Sequence, residues 1–235
     1  MYLNESEFFN TSDGPPAKLS VLEIKRLNFP KWGHQIFGTF LLFVGIFGFF
    51  ENIMVLFTFY KSKQLRSPTN IFIIGLAISD LSMAALGNPL ATTSGLNGSW
   101  FAGRFFCYWE GFVVYTFGLT EMYLLTAISM DRYVVIAKPL KSAMITKRVA
   151  VLGVVACFAF GVLWSIFPFF GWSSYGLEAA GIYCGLLWED KSLSTTSYVV
   201  TISIFCFFLP FGTMIYCYYQ IYMTVSTQIK SSLEG

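Results

Sequence analysis

Residues 149–170 read VAVLGVVACFAFGVLWSIFPFF, and this uncharged stretch decides the fold class. A transmembrane α-helix needs about 20 consecutive apolar residues to cross about 30 Å of hydrocarbon, whereas a transmembrane strand needs only about 10. Lipid offers no hydrogen-bond partners, so only helices and closed barrels satisfy the backbone there. The stretch therefore predicts a membrane-spanning α-helix.

Four other stretches are also predominantly apolar and long enough to cross a membrane as a helix. Of the 235 residues 55% are hydrophobic and 12% are charged, about half the charged share of a typical soluble domain. Together the stretches predict an all-α polytopic membrane helix bundle with five spans, at residues 34–59, 71–92, 105–136, 149–170 and 195–223. We expect a tail at residues 1–33, the bundle at residues 34–224 and the start of a cytoplasmic loop at residues 225–235. The net charge of +2, without a long basic run, argues against nucleic acid as a partner.

The short loops predict the orientation of the spans in the membrane, because cytoplasmic loops carry an excess of lysine and arginine. The basic residues concentrate after the first and third spans, at Lys61, Lys63, Arg66, Lys138, Lys141, Lys147 and Arg148. This distribution predicts a multi-pass protein of the cell membrane with an extracellular N-terminus. Glycosylation sequons at Asn4 and Asn10 agree with an extracellular tail.

The five cysteines fall into two groups. Cys157, Cys206 and Cys217 lie inside spans, where cysteine usually packs as a small apolar residue. Cys107 begins the third span, and Cys184 lies in the loop before the fifth, both on the predicted outer side. An oxidising compartment favours a Cys107–Cys184 disulfide, and the alternative is two free thiols.

Four carboxylates lie within the predicted spans: Glu51, Asp80, Glu110 and Glu121. Ionisable groups in a span are costly and are usually functional. Glu110 and Glu121 fall within about 20° of one face of the third helix, about 16 Å apart along its axis. They therefore predict one polar stripe at two depths, although each could simply be hydrogen-bonded inside the bundle. We assign no catalytic residues and no metal ligands, so we do not expect an enzyme.

Several motifs occur in the order typical of one receptor family. They are Asn52, LRSPTN at residues 65–70, LAISD at 76–80, GSW at 98–100, DRY at 131–133, KPL at 138–140, and Pro210 with Tyr218. On these motifs, and on Cys107 with Cys184, the chain resembles the rhodopsin-like G-protein-coupled receptors. Within that family it resembles the opsins. The resemblance implies a seven-transmembrane receptor, of which five spans are present here.

Narrower features carry the resemblance to opsins. CYWEGF at residues 107–112 is similar to the visual-pigment segment that carries the counterion of the retinal Schiff base. GWSSYGLE at residues 171–178, followed by Cys184, is similar to the opsin plug over the retinal pocket. The resemblance implies retinal as cofactor, Glu110 and Glu178 as candidate counterions, and Gly118 as a pocket residue. A protonated imine in an apolar pocket needs such a nearby anion.

The resemblance also implies how the protein would act. Opsins are light-sensing receptors that signal to a heterotrimeric G protein. Asp131 would hold Arg132 in the resting state, beside Tyr133, and Tyr218 would stabilise the released arginine. The amino-acid sequence of the spans most resembles that of peropsin and retinochrome-like opsins, for example at Trp164 and Pro168. A retinal photoisomerase is therefore one alternative function, and a receptor for a diffusible ligand is another.

Two features depart from the family pattern. Opsins hold retinal through a lysine in the seventh helix, but none of the 15 basic residues lies in mid-span, and we expect the sequence to be truncated after the fifth helix. Glu121 stands where the family usually has a small residue, facing Asp80. We expect Asp80 and Glu121 to share a proton, or to hold a cation, in a site with Asn52.

Overall fold

The computed structural model describes residues 30–62, 64 and 67–234. Within these ranges, five helices are long and apolar enough to cross a membrane. The predicted all-α bundle with five spans is therefore confirmed. The tail up to residue 29, with the sequons at Asn4 and Asn10, lies outside the described residues, as do Lys63 and Arg66.

The helices begin at residues suited to cap them. The first span is Lys31–Lys61, the second begins at Pro68, the third is Gly103–Ala137, and the fourth is Lys147–Ile166 with a 3-10 turn at Phe167–Phe170. Ser67 and Thr146 precede the second and fourth spans, and each accepts a backbone N–H bond with its side chain, at 3.3 Å. Such caps satisfy donors that a helix start leaves free. A short helix, Pro139–Ser142, follows the third span.

The second span consists of two helices, Pro68–Leu86 and Asn88–Asn97, joined at Gly87. Pro89 lies in the first turn of the second helix, where its missing N–H is tolerated. This helix ends at Gly98, whose φ of 85° is the left-handed conformation common after helix ends. The span thus extends five residues beyond its predicted end at residue 92.

The fifth span differs most from its prediction. It comprises Leu193–Ile202, a π-helical segment Ser203–Phe208, and Leu209–Glu234. Residues 225–234, which we expected to begin a loop, are helical. The reason is local, because no proline or glycine occurs between Gly212 and Glu234 to end the helix.

The third span is the centre of the bundle. It packs against the second, fourth and fifth spans, while the first span packs against both helices of the second. One buried cluster contains Tyr198, Ile202 and Cys206 of the fifth span, which pack against side chains of the third and fourth spans. A second cluster contains Phe72, Leu124 and Ala150, which come from the second, third and fourth spans respectively. Most other apolar side chains face outward, as lipid contact requires.

A two-stranded antiparallel hairpin covers the end of the bundle at which the third span begins. Its strands are β1, Tyr175–Leu177, and β2, Cys184–Leu186, with Gly176 opposite Gly185. Both strands are buried and contact the third span. The hydroxyl of Tyr175 donates to the carbonyl of Ser165 at 2.7 Å, which anchors the hairpin to the fourth span.

The first and second spans approach backbone to backbone. A Cβ added to Gly38 would lie 2.6 Å from the nitrogen of Leu96 and 2.7 Å from the carbonyl carbon of Gly95. Small residues permit such close helix packing in membranes.

We therefore expect Gly38→Ala to destabilise the protein by about 1–3 kcal/mol, because both colliding atoms belong to backbone. The measurement is the thermal unfolding temperature of the detergent-solubilised chain. Gly48→Ala in the same helix is the control, since a Cβ there meets nothing within 4 Å. Equal unfolding temperatures for the two variants would contradict this packing.

Candidate functional site

The hairpin is bonded to the third span at the predicted position. Cys107 and Cys184 form a disulfide, with their Cα atoms 5.2 Å apart, so this prediction is confirmed. Cys157, Cys206 and Cys217 are free and buried, as expected for packing residues. The disulfide fixes the start of β2 against the outer end of the third helix, one turn above Glu110.

Glu110 is buried beneath the hairpin, with 1% of its surface exposed. Its Oε2 accepts a hydrogen bond of 2.8 Å from the backbone N–H of Cys184. The backbone N–H of Ala91, in the first turn of Asn88–Asn97, lies close to this carboxyl group. A helix start favours a negative charge, so both contacts suit a carboxylate. Oε1 has no hydrogen-bond partner among the described residues.

Glu178 lies half-buried at the turn between β1 and β2. Its carboxyl group lies over Gly185 of the opposite strand and interacts with the hydroxyl of Tyr183. Burial raises the pKa of Glu178, the Tyr183 contact lowers it, and the nearby Glu189 raises it further. Glu110 and Glu178 are close enough to repel each other electrostatically, so the structure brings the two predicted carboxylates to one region.

Aromatic side chains line the third span below these carboxylates. Tyr115 packs against Tyr175 at 6.0 Å and against Trp188 at 6.1 Å between ring centroids, and it interacts with Glu178. Gly118 lies one turn deeper, and a Cβ there would meet only Met83, at 3.8 Å. This open space is consistent with the predicted role of Gly118 in a pocket.

Sequence reasoning missed three residues of this region: Tyr115, Tyr183 and Gly185. Helical spacing could have suggested Tyr115, because it lies three residues before Gly118 and residues three apart are neighbours on a helix. Tyr183 and Gly185 flank Cys184, but no sequence pattern shows that their neighbours in space include Glu178. That contact depends on the register of the hairpin.

The deeper polar site contains two of its three predicted members. Glu121 interacts with Asp80 and with the side chain of Ser79. Its Oε1 is buried without a hydrogen-bond partner among the described residues. Asn52 instead donates its amide N–H to the carbonyl of Gly48 in its own helix, at 2.9 Å. The described contacts therefore give a carboxyl pair, and Asn52 is not among its hydrogen-bond partners.

The end of the third span far from the hairpin differs from the prediction for Asp131 and Arg132. Asp131 is buried, and neither carboxyl oxygen has a hydrogen-bond partner in the described part of the chain. The predicted pair with Arg132 is therefore not formed in this structure. The rings of Tyr133 and Tyr216 pack against each other, with centroids 5.9 Å apart. The side chain of Tyr218 is 55% exposed.

Residues 51–234 match the family described as 7 transmembrane receptor (rhodopsin family), and the chain belongs to this family.

Similar proteins narrow the family to opsins. The chain is 39% identical to "Rhodopsin, GQ-coupled" of Mizuhopecten yessoensis, over 92% of this chain and 44% of that protein. It is 32% identical to "Visual pigment-like receptor peropsin" of Mus musculus, over 93% and 63% respectively. The crystal structure of squid rhodopsin superposes with a TM-score of 0.80 at 33% identity, over 86% of this chain and 59% of that one. The chain is thus an opsin-like receptor of the rhodopsin family.

Two points qualify the likeness. The chain spans about half the length of the curated relatives it matches. The chain has a higher sequence identity to the Gq-coupled rhodopsin than to the peropsin, although short motifs in individual spans suggested a peropsin-like member. Short motifs compare only a few residues, whereas the identity compares the whole aligned chain. By that measure the chain is more similar to the rhodopsin.

We expect Glu110→Ala to lower the unfolding free energy by about 1–3 kcal/mol, because the buried N–H of Cys184 would lose its acceptor. Thermal unfolding of the solubilised chain measures this loss. Glu110→Gln is the control, since its amide oxygen can still accept the bond. An alanine variant as stable as the glutamine variant would show that the bond contributes nothing.

The carboxyl pair is tested by a double-mutant cycle of Asp80→Asn and Glu121→Ala. Side chains in contact usually show coupling free energies of about 0.5–3 kcal/mol. For independent sites, the two single-mutant changes in unfolding free energy add up to that of the double mutant within about 0.5 kcal/mol. We expect coupling, measured as the non-additive part of the change in unfolding free energy. Additive effects would contradict a shared site.

Proposed function

We propose that the protein is a light-sensing G-protein-coupled receptor that holds a retinal chromophore beneath the extracellular hairpin. The observation that carries this proposal is the orphaned Oε1 of Glu110, buried at 1% exposure. A buried carboxylate oxygen without a partner is costly, and a cation close by offsets that cost. The site thus fits a cationic ligand in an apolar surrounding.

Retinal supplies such a cation when its aldehyde is bound to an amine as a protonated imine. The residues present fit this group in three ways. Glu110 and Glu178 provide negative charge, Tyr115 and Tyr175 provide aromatic walls, and Gly118 leaves room along the third span. No lysine lies in mid-span within residues 1–235, so we assign no attachment residue here.

The roles of the protein's own residues follow from their surroundings. Cys184 and Ala91 orient the Glu110 carboxylate through backbone N–H groups, and the hairpin excludes water from it. Low local polarity strengthens the attraction between this anion and a cation. Glu178 adds a second negative charge nearer the hairpin surface.

The signalling partner we propose is a heterotrimeric G protein at the cytoplasmic end. Support comes from the Asp131-Arg132-Tyr133 motif and from the similarity to a protein named "Rhodopsin, GQ-coupled". The unpartnered oxygens of buried Asp131 are a second supporting observation, because they leave an acceptor available to Arg132 in another conformation. We also propose that the N-terminus lies outside the cell, which the exposed Lys138, Lys141 and Lys147 support.

A retinal photoisomerase is the second candidate function. The 32% identity to a visual pigment-like receptor peropsin favours it. The two functions differ in the isomer that the protein binds in the dark. A signalling photoreceptor binds 11-cis-retinal, whereas the isomerase role predicts all-trans-retinal.

The test expresses the gene's full reading frame in cultured cells and adds 11-cis- or all-trans-retinal in the dark. We expect a visible absorption band that light removes or shifts. In Glu110→Gln the band should move to the near ultraviolet at neutral pH, because the imine loses its proton without a nearby anion.

Glu51→Gln is the control, since Glu51 is an exposed carboxylate on the first span, and its band should be unchanged. Absence of any visible band with either isomer would overturn the retinal proposal. A receptor for a diffusible ligand would then be the remaining alternative.

A further inference from the structure

The carboxyl group of Glu178 rests directly on the backbone of Gly185. A Cβ added to Gly185 would overlap Oε1 of Glu178, and it would lie 3.1 Å from Cδ and 3.5 Å from Cγ. The colliding atom is the end of a flexible side chain, so the collision would move the Glu178 carboxyl group and leave the strands in place. Gly185 therefore provides the space that this carboxyl group occupies.

Tyr183 contacts the same carboxyl group from a second direction. Its hydroxyl interacts with Glu178. The ring of Tyr183 packs against Phe37 of the first span, with ring centroids 5.9 Å apart. The tyrosine thus holds the Glu178 carboxyl group from a position fixed by another helix.

The turn of the hairpin restrains the Glu178 backbone as well. The N–H of Glu178 donates to the carbonyl of Tyr183 at 3.1 Å, and the N–H of Gly181 donates to the carbonyl of Glu178 at 2.8 Å. Cys184, between Tyr183 and Gly185, is tied to the third span by the disulfide. Backbone and side chain of Glu178 are therefore both positioned by residues of the turn and of β2.

We propose that Gly185 and Tyr183 are positioning residues for the Glu178 carboxylate, which they hold at the distance from the chromophore cation that sets the absorbed wavelength. The inference rests on the proposed function, because it assigns Glu178 an effect on retinal. It goes beyond that function by naming two residues that act through their contacts with Glu178.

The ionisable groups around Glu178 are few in the described part of the chain. Tyr183 and Glu189 interact with it from the hairpin, and Tyr115 and Glu110 from the third span. Burial, and next the charge and hydrogen bond of Glu178, raise the pKa of Tyr183. Removal of the Glu178 charge should therefore lower the pKa of Tyr183.

The first arm of the experiment needs no retinal. Tyrosinate absorbance of the solubilised chain is titrated for wild type, Glu178→Gln, Tyr183→Phe and the double variant. We expect Glu178→Gln to lower the titration midpoint of one tyrosine, because the negative charge that raises its pKa is removed. The shift should disappear in the Tyr183→Phe background and persist in Tyr222→Phe, whose side chain is 67% exposed. A shift that survives in Tyr183→Phe would overturn the contact.

The second arm measures the absorption maximum with retinal bound. Gly185→Ala should shift the maximum in the direction that Glu178→Ala shifts it. In a Glu178→Ala background the added methyl group has no carboxyl group to displace, so Gly185→Ala should have no further effect. A shift of the same size in that background would overturn the role of Gly185.

The two arms separate the two proposals. If wild type forms no pigment, the retinal function fails, and the tyrosine titration alone shows whether Tyr183 positions Glu178. If pigment forms but Glu178→Ala leaves the maximum unchanged, the positioning of Glu178 has no effect on the chromophore and this inference is overturned.

Discussion

The bond between Cys107 and Cys184 is the constraint on which the candidate site depends. It joins the only non-helical layer of the described residues to the central helix of the bundle. Because the bond fixes β2 above the third span, the N–H of Cys184 reaches Glu110 and the neighbouring residues reach Glu178. A hairpin of three-residue strands has little stability alone. Here the disulfide and the anchored Tyr175 supply what the short strands lack.

The membrane accounts for most of what the sequence predicted correctly. An apolar run of helix length leaves little choice of structure in lipid, so the five spans followed directly. Helix ends were less predictable, because they depend on caps and breakers rather than on hydropathy. The second span continued past residue 92 to Asn97, and the fifth continued to Glu234.

The site was predictable where residues lie on one helix. Helical periodicity related Glu110 to Glu121 on the third span, whereas Gly118 was implied by the resemblance to opsins. Contacts between elements were not predictable in this way. The pairing of Glu178 with Gly185 requires the hairpin register, and the separation of Asn52 from Glu121 requires the side-chain rotamer of Asn52. Asp131 and Arg132 are adjacent in sequence, but adjacency on a helix does not determine whether their side chains pair.

The interruption of the second span at Gly87 has a consequence for charge in a neighbouring helix. A continuous helix would bond every internal N–H to its own carbonyl groups, and none would be available to an outside acceptor. The restart at Asn88 instead exposes a fresh helix N-terminus at membrane depth, whose Ala91 amide points toward Glu110. The irregular backbone of one helix thus acts as a fixed positive pole for a carboxylate on another, with no basic side chain taking part.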